Sequence, residues 1–300
     1  MKDVELQVPS PLETLADDRL GAAGVRVLLK RDDLIHPELP GNKWRKLKYN
    51  LVAARAGGYE TLLTFGGAYS NHIRATAAAG YYGGFRTIGV IRGEPHDPLN
   101  PSLAYAVSRG MRLTYLDRGT YRDKGSATVL EKLRQEFGEF YLLPEGGSNA
   151  EAVRGCAELP AEIAEDFDAI LCAVGTGGTL AGIASGLGNG QRAIGVPALK
   201  GAQFLENEVA ELQRQTFGSS TANWTLDYAH HYGGYAKRTA ELDEFIADFE
   251  QRHGLRLDWV YVAKMMAALF DAIGRGEIAR GSTVVAVISG SEQPKQTSSW

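Results

Sequence analysis

Residues 169–179, Ala-Ile-Leu-Cys-Ala-Val-Gly-Thr-Gly-Gly-Thr, join an uninterrupted apolar run to a glycine-rich turn. Such a run is typical of a strand buried in a parallel sheet, and residues 180–187 predict the helix that follows. Backbone N–H groups at the start of a helix favour a bound phosphate. A dinucleotide-binding turn would need glycine where this chain has Leu180, so a smaller phosphate-bearing cofactor fits better, and a purely structural turn is the alternative. The candidate phosphate-binding residues are Gly175, Thr176, Gly177, Gly178 and Thr179.

Two other predicted strands also end in small, hydrogen-bonding residues. The strand at 61–65 runs into Gly-Gly-Ala-Tyr-Ser-Asn-His (66–72), and the strand at 284–288 runs into Ser289. Ligands of open α/β sheets bind outside the carboxyl ends of the strands, so these turns can meet at one bound molecule. A fourth segment, Gly-Asn-Lys-Trp-Arg-Lys (41–46), opens a predicted helix with a lysine in its first turn. Together they indicate an anionic cofactor with a carbonyl group, held by backbone amides and linked to the lysine.

Lys43 is the candidate for that link. The positive end of a helix disfavours a charged lysine and lowers its pKa, which a lysine that forms a Schiff base requires. The alternative is an ordinary surface lysine. For the neighbouring Arg45, Lys46 and Lys48, a solvated basic face of the helix is the plain interpretation.

Hydroxyl and amide side chains at the other strand ends are further candidates. Ser70 is placed to cap a helix, and its hydroxyl can instead hold a substrate carboxylate. Asn71 can donate to a cofactor phenolate, and His72 is either catalytic or simply packed. Ser289 can hydrogen-bond a heteroaromatic nitrogen. Two tyrosines near predicted loop or helix starts complete the set, with burial in the core as the alternative: Tyr235 and Tyr261.

Short β-rich runs alternate with longer amphipathic stretches along the chain, which predicts βα units and a mainly parallel sheet. Four consecutive predicted strands between residues 61 and 143 indicate a compact subdomain. The sequence therefore predicts an α/β fold of two three-layer αβα domains with mainly parallel sheets. The smaller domain (49–151) is expected to be inserted in the larger one (1–48 and 152–300), with the cofactor in the cleft between them.

Bulk composition narrows the class of protein. The chain has 300 residues, 44% of them apolar and 23% charged, which is ordinary for a globular protein. A net charge of −4 argues against a nucleic-acid or anionic-membrane partner. The two cysteines, Cys156 and Cys172, show no ligand spacing, so we expect neither a metal site nor a disulfide. No apolar run reaches membrane-spanning length and no signal peptide opens the chain, so we expect a cytoplasmic location.

These motifs, in this order, resemble the 1-aminocyclopropane-1-carboxylate (ACC) deaminase and D-cysteine desulfhydrase family. That family belongs to the fold-type II, tryptophan-synthase-β-like group of pyridoxal-phosphate enzymes. The resemblance extends over residues 12–290. Four motifs carry it: Lys-Arg-Asp-Asp-Leu (30–34), Gly-Asn-Lys-x-Arg-Lys-Leu (41–47), Ser-Asn-His-x-Arg (70–74) and Gly-Gly-Ser-Asn (146–149).

The resemblance implies the cofactor and a role for each candidate. Pyridoxal 5'-phosphate would be joined covalently to Lys43, and Asn71 would contact its ring oxygen. Residues 175–179 would bind its phosphate, and Ser289 would meet its pyridine nitrogen. The groups that face the substrate would be Ser70, Asn71 and His72, and those that flank the reacting bonds would be Tyr235 and Tyr261. The family also implies a small amino-acid substrate and a homodimer.

Position 262 departs from the family pattern. ACC deaminases have a glutamate directly after the tyrosine that corresponds to Tyr261, and desulfhydrase-like members have a hydroxyl residue there, whereas this chain has Val262. Valine cannot relay a proton, which argues against opening of a cyclopropane ring. The first interpretation is therefore a lyase that eliminates the β-substituent of D-cysteine or a related D-amino acid. An ACC deaminase is the second, and a non-catalytic pyridoxal-phosphate-binding protein is the third.

Overall fold

The computed structural model describes residues 5–290, and this part of the chain contains ten strands and eleven α-helices. The strands, in chain order, are β1 (Leu12–Thr14), β2 (Arg26–Lys30), β3 (Thr61–Gly66), β4 (Arg86–Arg92), β5 (Met111–Leu116), β6 (Tyr141–Leu143), β7 (Ala169–Val174), β8 (Arg192–Pro197), β9 (Trp224–Leu226) and β10 (Thr283–Val287). The helices are α1 (Asp18–Ala23), α2 (Asn42–Ala56), α3 (Asn71–Gly83), α4 (Pro101–Ser108), α5 (Arg118–Arg122), α6 (Ala127–Phe137), α7 (Ala150–Ala157), α8 (Gly178–Gly186), α9 (Leu205–Phe217), α10 (Ala240–His253) and α11 (Val262–Gly274).

The strands form two separate sheets. The larger has the order β1-β2-β10-β7-β8-β9, and the smaller has the order β5-β4-β3-β6. Only the edge strand β1 pairs antiparallel, with β2; the other pairs are parallel. This confirms the predicted α/β fold with mainly parallel sheets.

Helices cover both faces of the larger sheet. Alternate residues along its strands point to opposite sides, so Leu171 joins one apolar cluster and Ile170 the other. The first cluster contains buried residues of α1, α10 and α11, and the second contains buried residues of α7, α8 and α9. All six residues of β7 are buried, which explains its uninterrupted apolar run.

The smaller sheet is also a three-layer unit. Leu62 packs with residues of α2 and α3, whereas Leu63 packs with α6 on the opposite face. The strands of this sheet come between β2 and β7 in the chain. Helix α2 contacts α3 of this unit as well as α7 and α8, so it lies between the two sheets. The division of the chain into two domains, with boundaries at 48/49 and 151/152, stays a prediction.

Some elements differ from those expected. The amphipathic stretch over 123–137 predicts a helix from its first residue, whereas α6 begins at Ala127, because the Ser126 hydroxyl accepts from the Val129 N–H and caps it there. The three-residue strands β1 and β9 were not predicted, since very short edge strands carry almost no periodic signal. Within residues 5–290, no helix combines the length and the apolar character needed to cross a membrane. Cys156 and Cys172 are both buried and not joined to each other.

Candidate active site

Helix α2 begins in direct contact with the end of β10. The residue before it, Gly41, has φ 62° and ψ −142°, a backbone conformation that is essentially restricted to glycine. A Cβ atom at this position would overlap the carbonyl oxygen of Ser289. The Gly41 N–H donates to the carbonyl of Asp32, at 2.8 Å. The turn therefore places the first residues of α2 beside Ser289.

A buried ionic network holds the same helix to the larger sheet. The guanidinium of Arg45 donates to both carboxylate oxygens of Asp32, at 2.7 and 2.8 Å, and to both of Glu162, at 2.7 and 2.8 Å. Lys30 on β2 also pairs with Glu162, at 3.0 Å. A solvated basic face is thus wrong for Arg45, which is 1% exposed because its partners come from distant parts of the chain.

Lys43 lies in the first turn of α2, with its side chain partly exposed into a cavity. Burial, followed by the positive charge of Lys46, lowers the pKa of Lys43 to about 7. This amine therefore loses its proton much more readily near neutral pH than an ordinary surface lysine does. A neutral amine is the form that attacks a carbonyl.

Lys46 is the functional candidate that the sequence did not reveal. It is 3% exposed, so the solvated-face interpretation is wrong for this residue too. Its Nζ atom lies 3.0 Å from the Gly146 carbonyl, 3.0 Å from Ser148 Oγ and 3.5 Å from Thr176 Oγ1. Among the ion pairs within residues 5–290, none includes Lys46. Burial lowers the pKa of Lys46, and an anion at the glycine-rich turn would stabilise its charged form.

The glycine-rich turn opens directly into α8. Gly177 occupies the N-cap position with φ 82° and offers no side-chain oxygen to the N–H groups of the first turn. A Cβ atom on Gly178 would lie 2.6 Å from Ser148 Oγ, so glycine is required by the close approach of that residue. The Asn42 amide donates to Thr179 Oγ1 at 2.9 Å, which joins the starts of α2 and α8. Uncapped N–H groups beside a buried lysine suit a phosphate.

Most of the predicted site residues line one cavity of about 880 Å³. It opens between the carboxyl ends of strands of both sheets. The predicted residues that line it are Lys43, Asn71, Gly175, Thr176, Gly177, Thr179, Tyr261 and Ser289. Lys46 and Asp258 line it as well, although neither was predicted. The sequence could have indicated Asp258 by its position three residues before Tyr261. At this spacing its carboxylate can accept from the N–H groups at the start of α11, as it does in the structure.

Four predicted residues lie outside the lining of this cavity: Ser70, His72, Gly178 and Tyr235. Ser70 caps α3 by accepting from the Ile73 N–H, at 3.3 Å. His72 is 2% exposed, and within residues 5–290 neither ring nitrogen has a hydrogen-bond partner. Burial and the charges of Lys43 and Lys46 hold the pKa of His72 well below its usual range, so its ring is neutral.

The two tyrosines form a pair at the edge of the cavity. The rings of Tyr235 and Tyr261 have centroids 6.0 Å apart and planes at 66°. Burial, followed by the neighbouring Tyr235, raises the pKa of Tyr261, so its hydroxyl keeps its proton at neutral pH. Tyr261 lines the cavity, and Tyr235 is exposed beside it. This arrangement provides a proton donor in the same cavity as Lys43, a candidate proton acceptor.

Comparisons with known proteins identify the family of the chain. A family model described as pyridoxal-phosphate dependent enzyme matches residues 5–290. A Pyrococcus furiosus protein assigned provisionally as an ACC deaminase is 31% identical over 269 residues, covering 85% of this chain and 82% of that protein. The D-cysteine desulfhydrase of Salmonella paratyphi B is 29% identical over 294 residues, covering 89% and 87%. The crystal structure of an ACC deaminase homologue superposes with a TM-score of 0.84 at 27% identity, over 96% of this chain and 91% of that one. The chain belongs to the family of pyridoxal-phosphate dependent enzymes.

Proposed function

We propose that this protein is a pyridoxal-phosphate-dependent lyase that eliminates the β-substituent of D-cysteine or a related β-substituted D-amino acid. The products are a keto acid, ammonia and the released β-group. One observation carries the proposal: the amine of Lys43, with its pKa lowered to about 7, lines the same cavity as the uncapped start of α8.

Each part of the cofactor has a matching group in the cavity. Lys43 would hold its aldehyde carbon covalently, and residues 175–179 with the ammonium of Lys46 would hold its phosphate. Asn71 would donate to the ring oxygen, and Ser289 would meet the pyridine nitrogen. When bound, pyridoxal phosphate supplies an electron sink for the carbon that loses its proton.

The chain's own residues carry the proton transfers. The neutral amine of Lys43 takes the proton from the substrate Cα atom, and the protonated phenol of Tyr261 gives a proton to the departing sulfur. A positioned acid or base of this kind contributes about 10²–10⁴ in rate. Tyr235 packs against Tyr261 at the edge of the cavity, and Asn71, which lines the cavity, is the residue of the 70–72 turn proposed to meet the substrate carboxylate. The released aminoacrylate then hydrolyses to pyruvate and ammonia.

Val262 argues against ring opening, although it also departs from the hydroxyl residue of desulfhydrase-like members. Its side chain is 0% exposed and packs in the apolar cluster between α11 and the larger sheet. Position 262 therefore offers neither a carboxylate nor a hydroxyl to the cavity. An ACC deaminase is the second candidate, because the Pyrococcus furiosus relative carries that provisional name. A non-catalytic pyridoxal-phosphate-binding protein is the third.

A substrate screen separates these candidates. The purified protein, saturated with pyridoxal phosphate, is incubated with D-cysteine, L-cysteine, D-serine and ACC, while spectra, sulfide and keto acids are recorded. We expect sulfide and pyruvate from D-cysteine and no 2-oxobutyrate from ACC. Release of 2-oxobutyrate would establish the second candidate, and an unchanged spectrum with every amino acid would establish the third.

Replacing Lys46 with methionine should weaken cofactor binding and change the reactivity of Lys43. A hydrogen bond to a charged group contributes about 1.5–3 kcal/mol, so we expect pyridoxal phosphate to bind about 10- to 100-fold more weakly. Removal of the nearby positive charge also raises the pKa of Lys43. Imine formation with pyridoxal, which lacks the phosphate, should therefore require a higher pH than in the wild-type protein.

The matched control is Lys48→Met on the same helix. Lys48 pairs with Glu158 and does not line the cavity. Its replacement should leave both the affinity for pyridoxal phosphate and the pH midpoint of imine formation unchanged. If Lys46→Met and the wild-type protein bind pyridoxal phosphate with equal affinity, Lys46 does not bind the phosphate.

We also propose a cytoplasmic homodimer. Support comes from the family resemblance and from the two free, buried cysteines, which suit a reducing compartment. Light scattering of the purified protein checks the dimer, for which we expect twice the chain mass of 32.4 kDa.

A further inference from the structure

Lys264 is a fully buried lysine outside the cavity, and its partners are backbone carbonyls. It lies in the first turn of α11 and is 0% exposed. Its Nζ atom donates to the carbonyls of Gly234 at 2.8 Å, His231 at 2.9 Å and Ala198 at 3.4 Å. Two of these carbonyls belong to the segment between β9 and α10, and the third follows β8.

The number of donors equals the number of acceptors. A lysine ammonium has three N–H groups, and this one faces three carbonyl oxygens. A neutral amine would turn a lone pair toward one of those oxygens. Burial lowers the pKa of Lys264, while the carboxylate of Asp258 and the three acceptors favour the charged form. Within residues 5–290, none of the ion pairs includes Lys264, so its charge is balanced by carbonyl dipoles.

The segment that Lys264 holds has an unfavourable backbone. Within residues 5–290, the only non-glycine residues with positive φ are Tyr232, at 48°, and Ala236, at 51°. Between them, Gly233 and Gly234 have φ of 87° and 111°. Such conformations persist only when the surrounding structure holds them in place.

The same segment carries Tyr235 to the active site. Tyr235 directly follows Gly234, whose carbonyl is the closest acceptor of Lys264. Its ring meets that of Tyr261, which directly precedes the helix on which Lys264 lies. The lysine therefore ties the backbone of one tyrosine to the helix of the other.

We propose that Lys264 is a positioning residue, whose buried ammonium acts as a fixed internal cation that clamps the 231–234 backbone and holds Tyr235 against Tyr261. The role of the two tyrosines rests on the proposed function, whereas the clamp itself does not. Carbonyl oxygens arranged in this way also coordinate small monovalent cations. A cation in solution can therefore replace the ammonium once the side chain is removed.

Limited proteolysis tests the clamp without any assay of activity. Lys237 and Arg238 are exposed in the same segment and offer trypsin two cleavage sites. In cofactor-free Lys264→Met, which keeps most of the side-chain volume, cleavage at these sites should be at least about tenfold faster than in wild type. The control is Lys30→Met, which removes another fully buried lysine, one that pairs with Glu162. General destabilisation without a specific effect at 237 and 238 is expected there.

Cation dependence tests the charge itself. Lys264→Ala should melt at a higher temperature, and resist trypsin better, in ammonium or potassium chloride than in tetramethylammonium chloride of the same ionic strength. Wild type and Lys30→Met should not distinguish these salts. If Lys264→Ala aggregates, its refolding yield from urea in the same salts gives the same comparison. With D-cysteine, kcat should fall by at least about tenfold with little change in KM, and ammonium should restore it in part.

Equal cleavage at 237 and 238 in wild type and Lys264→Met, or a Lys264→Ala protein indifferent to the cation, would overturn the clamp. If D-cysteine is not a substrate, the proteolysis and melting experiments still test whether Lys264 clamps the 231–234 backbone. A clamp present in a protein without lyase activity would contradict the proposed function alone.

Discussion

Alanine at position 43 should abolish the covalent bond to pyridoxal phosphate and lower kcat by at least about 10⁴-fold. Loss of a positioned acid or base alone costs about 10²–10⁴ in rate, and Lys43 is proposed to be both the base and the covalent link. No other lysine that lines the cavity matches it, because Lys46 is already bound to Gly146 and Ser148. The Lys43→Ala protein mixed with pyridoxal phosphate should therefore lack the yellow absorbance of an imine.

The control for this experiment is Lys48→Ala. Lys48 lies on the same helix and pairs with Glu158, so its loss should leave both colour and turnover unchanged. The binding of pyridoxal phosphate to Lys43→Ala should survive in weaker, non-covalent form, because the phosphate groups of the site remain. A Lys43→Ala protein that stays yellow and active would show that another amine carries the cofactor.

The largest effect on stability is expected from Gly41→Ala. The backbone at Gly41, with φ 62° and ψ −142°, costs a residue with a Cβ atom about 1–3 kcal/mol. The new Cβ would also overlap the carbonyl oxygen of Ser289, a backbone atom just beyond the end of β10. We expect the free energy of unfolding of the cofactor-free protein to fall by about 4 kcal/mol or more, measured by urea denaturation. Lys43 and Ser289 should separate, so activity should fall as well.

Gly58→Ala separates the two causes of this loss. Gly58 also has positive φ, at 72°, but a Cβ atom there would meet nothing within 4 Å. Its replacement should cost about 1–2 kcal/mol, the backbone contribution alone. Equal losses in the two variants would mean that the contact between Gly41 and Ser289 does not constrain the site.

Local sequence signals were sufficient to predict the turns at the strand ends. The glycine-rich turn after β7, the capping serine before α3 and the lysine after Gly41 each follow from residues close together in the chain. Because parallel strands present their carboxyl ends at one edge, these turns could be expected to share a cavity. The cavity lined by Lys43, Asn71 and Ser289 follows from that rule.

Buried charges were not predictable in the same way. The sequence places Arg45 and Lys46 in a polar helix face, and only distant residues decide that both are buried. Arg45 needs Glu162, and Lys46 needs the turn at 146–148. Lys264 is a further example, since its three acceptors are carbonyls that have no sequence signature. Partners of this kind are fixed by the tertiary fold alone.

Borohydride reduction of the cofactor-bound protein, followed by proteolysis and mass spectrometry of the peptides, tests the covalent assignment most directly. Reduction converts the imine into a stable secondary amine that marks the lysine. We predict a single phosphopyridoxyl group, on Lys43. The same group on Lys46 or any other lysine, with Lys43 unmodified, would contradict the account.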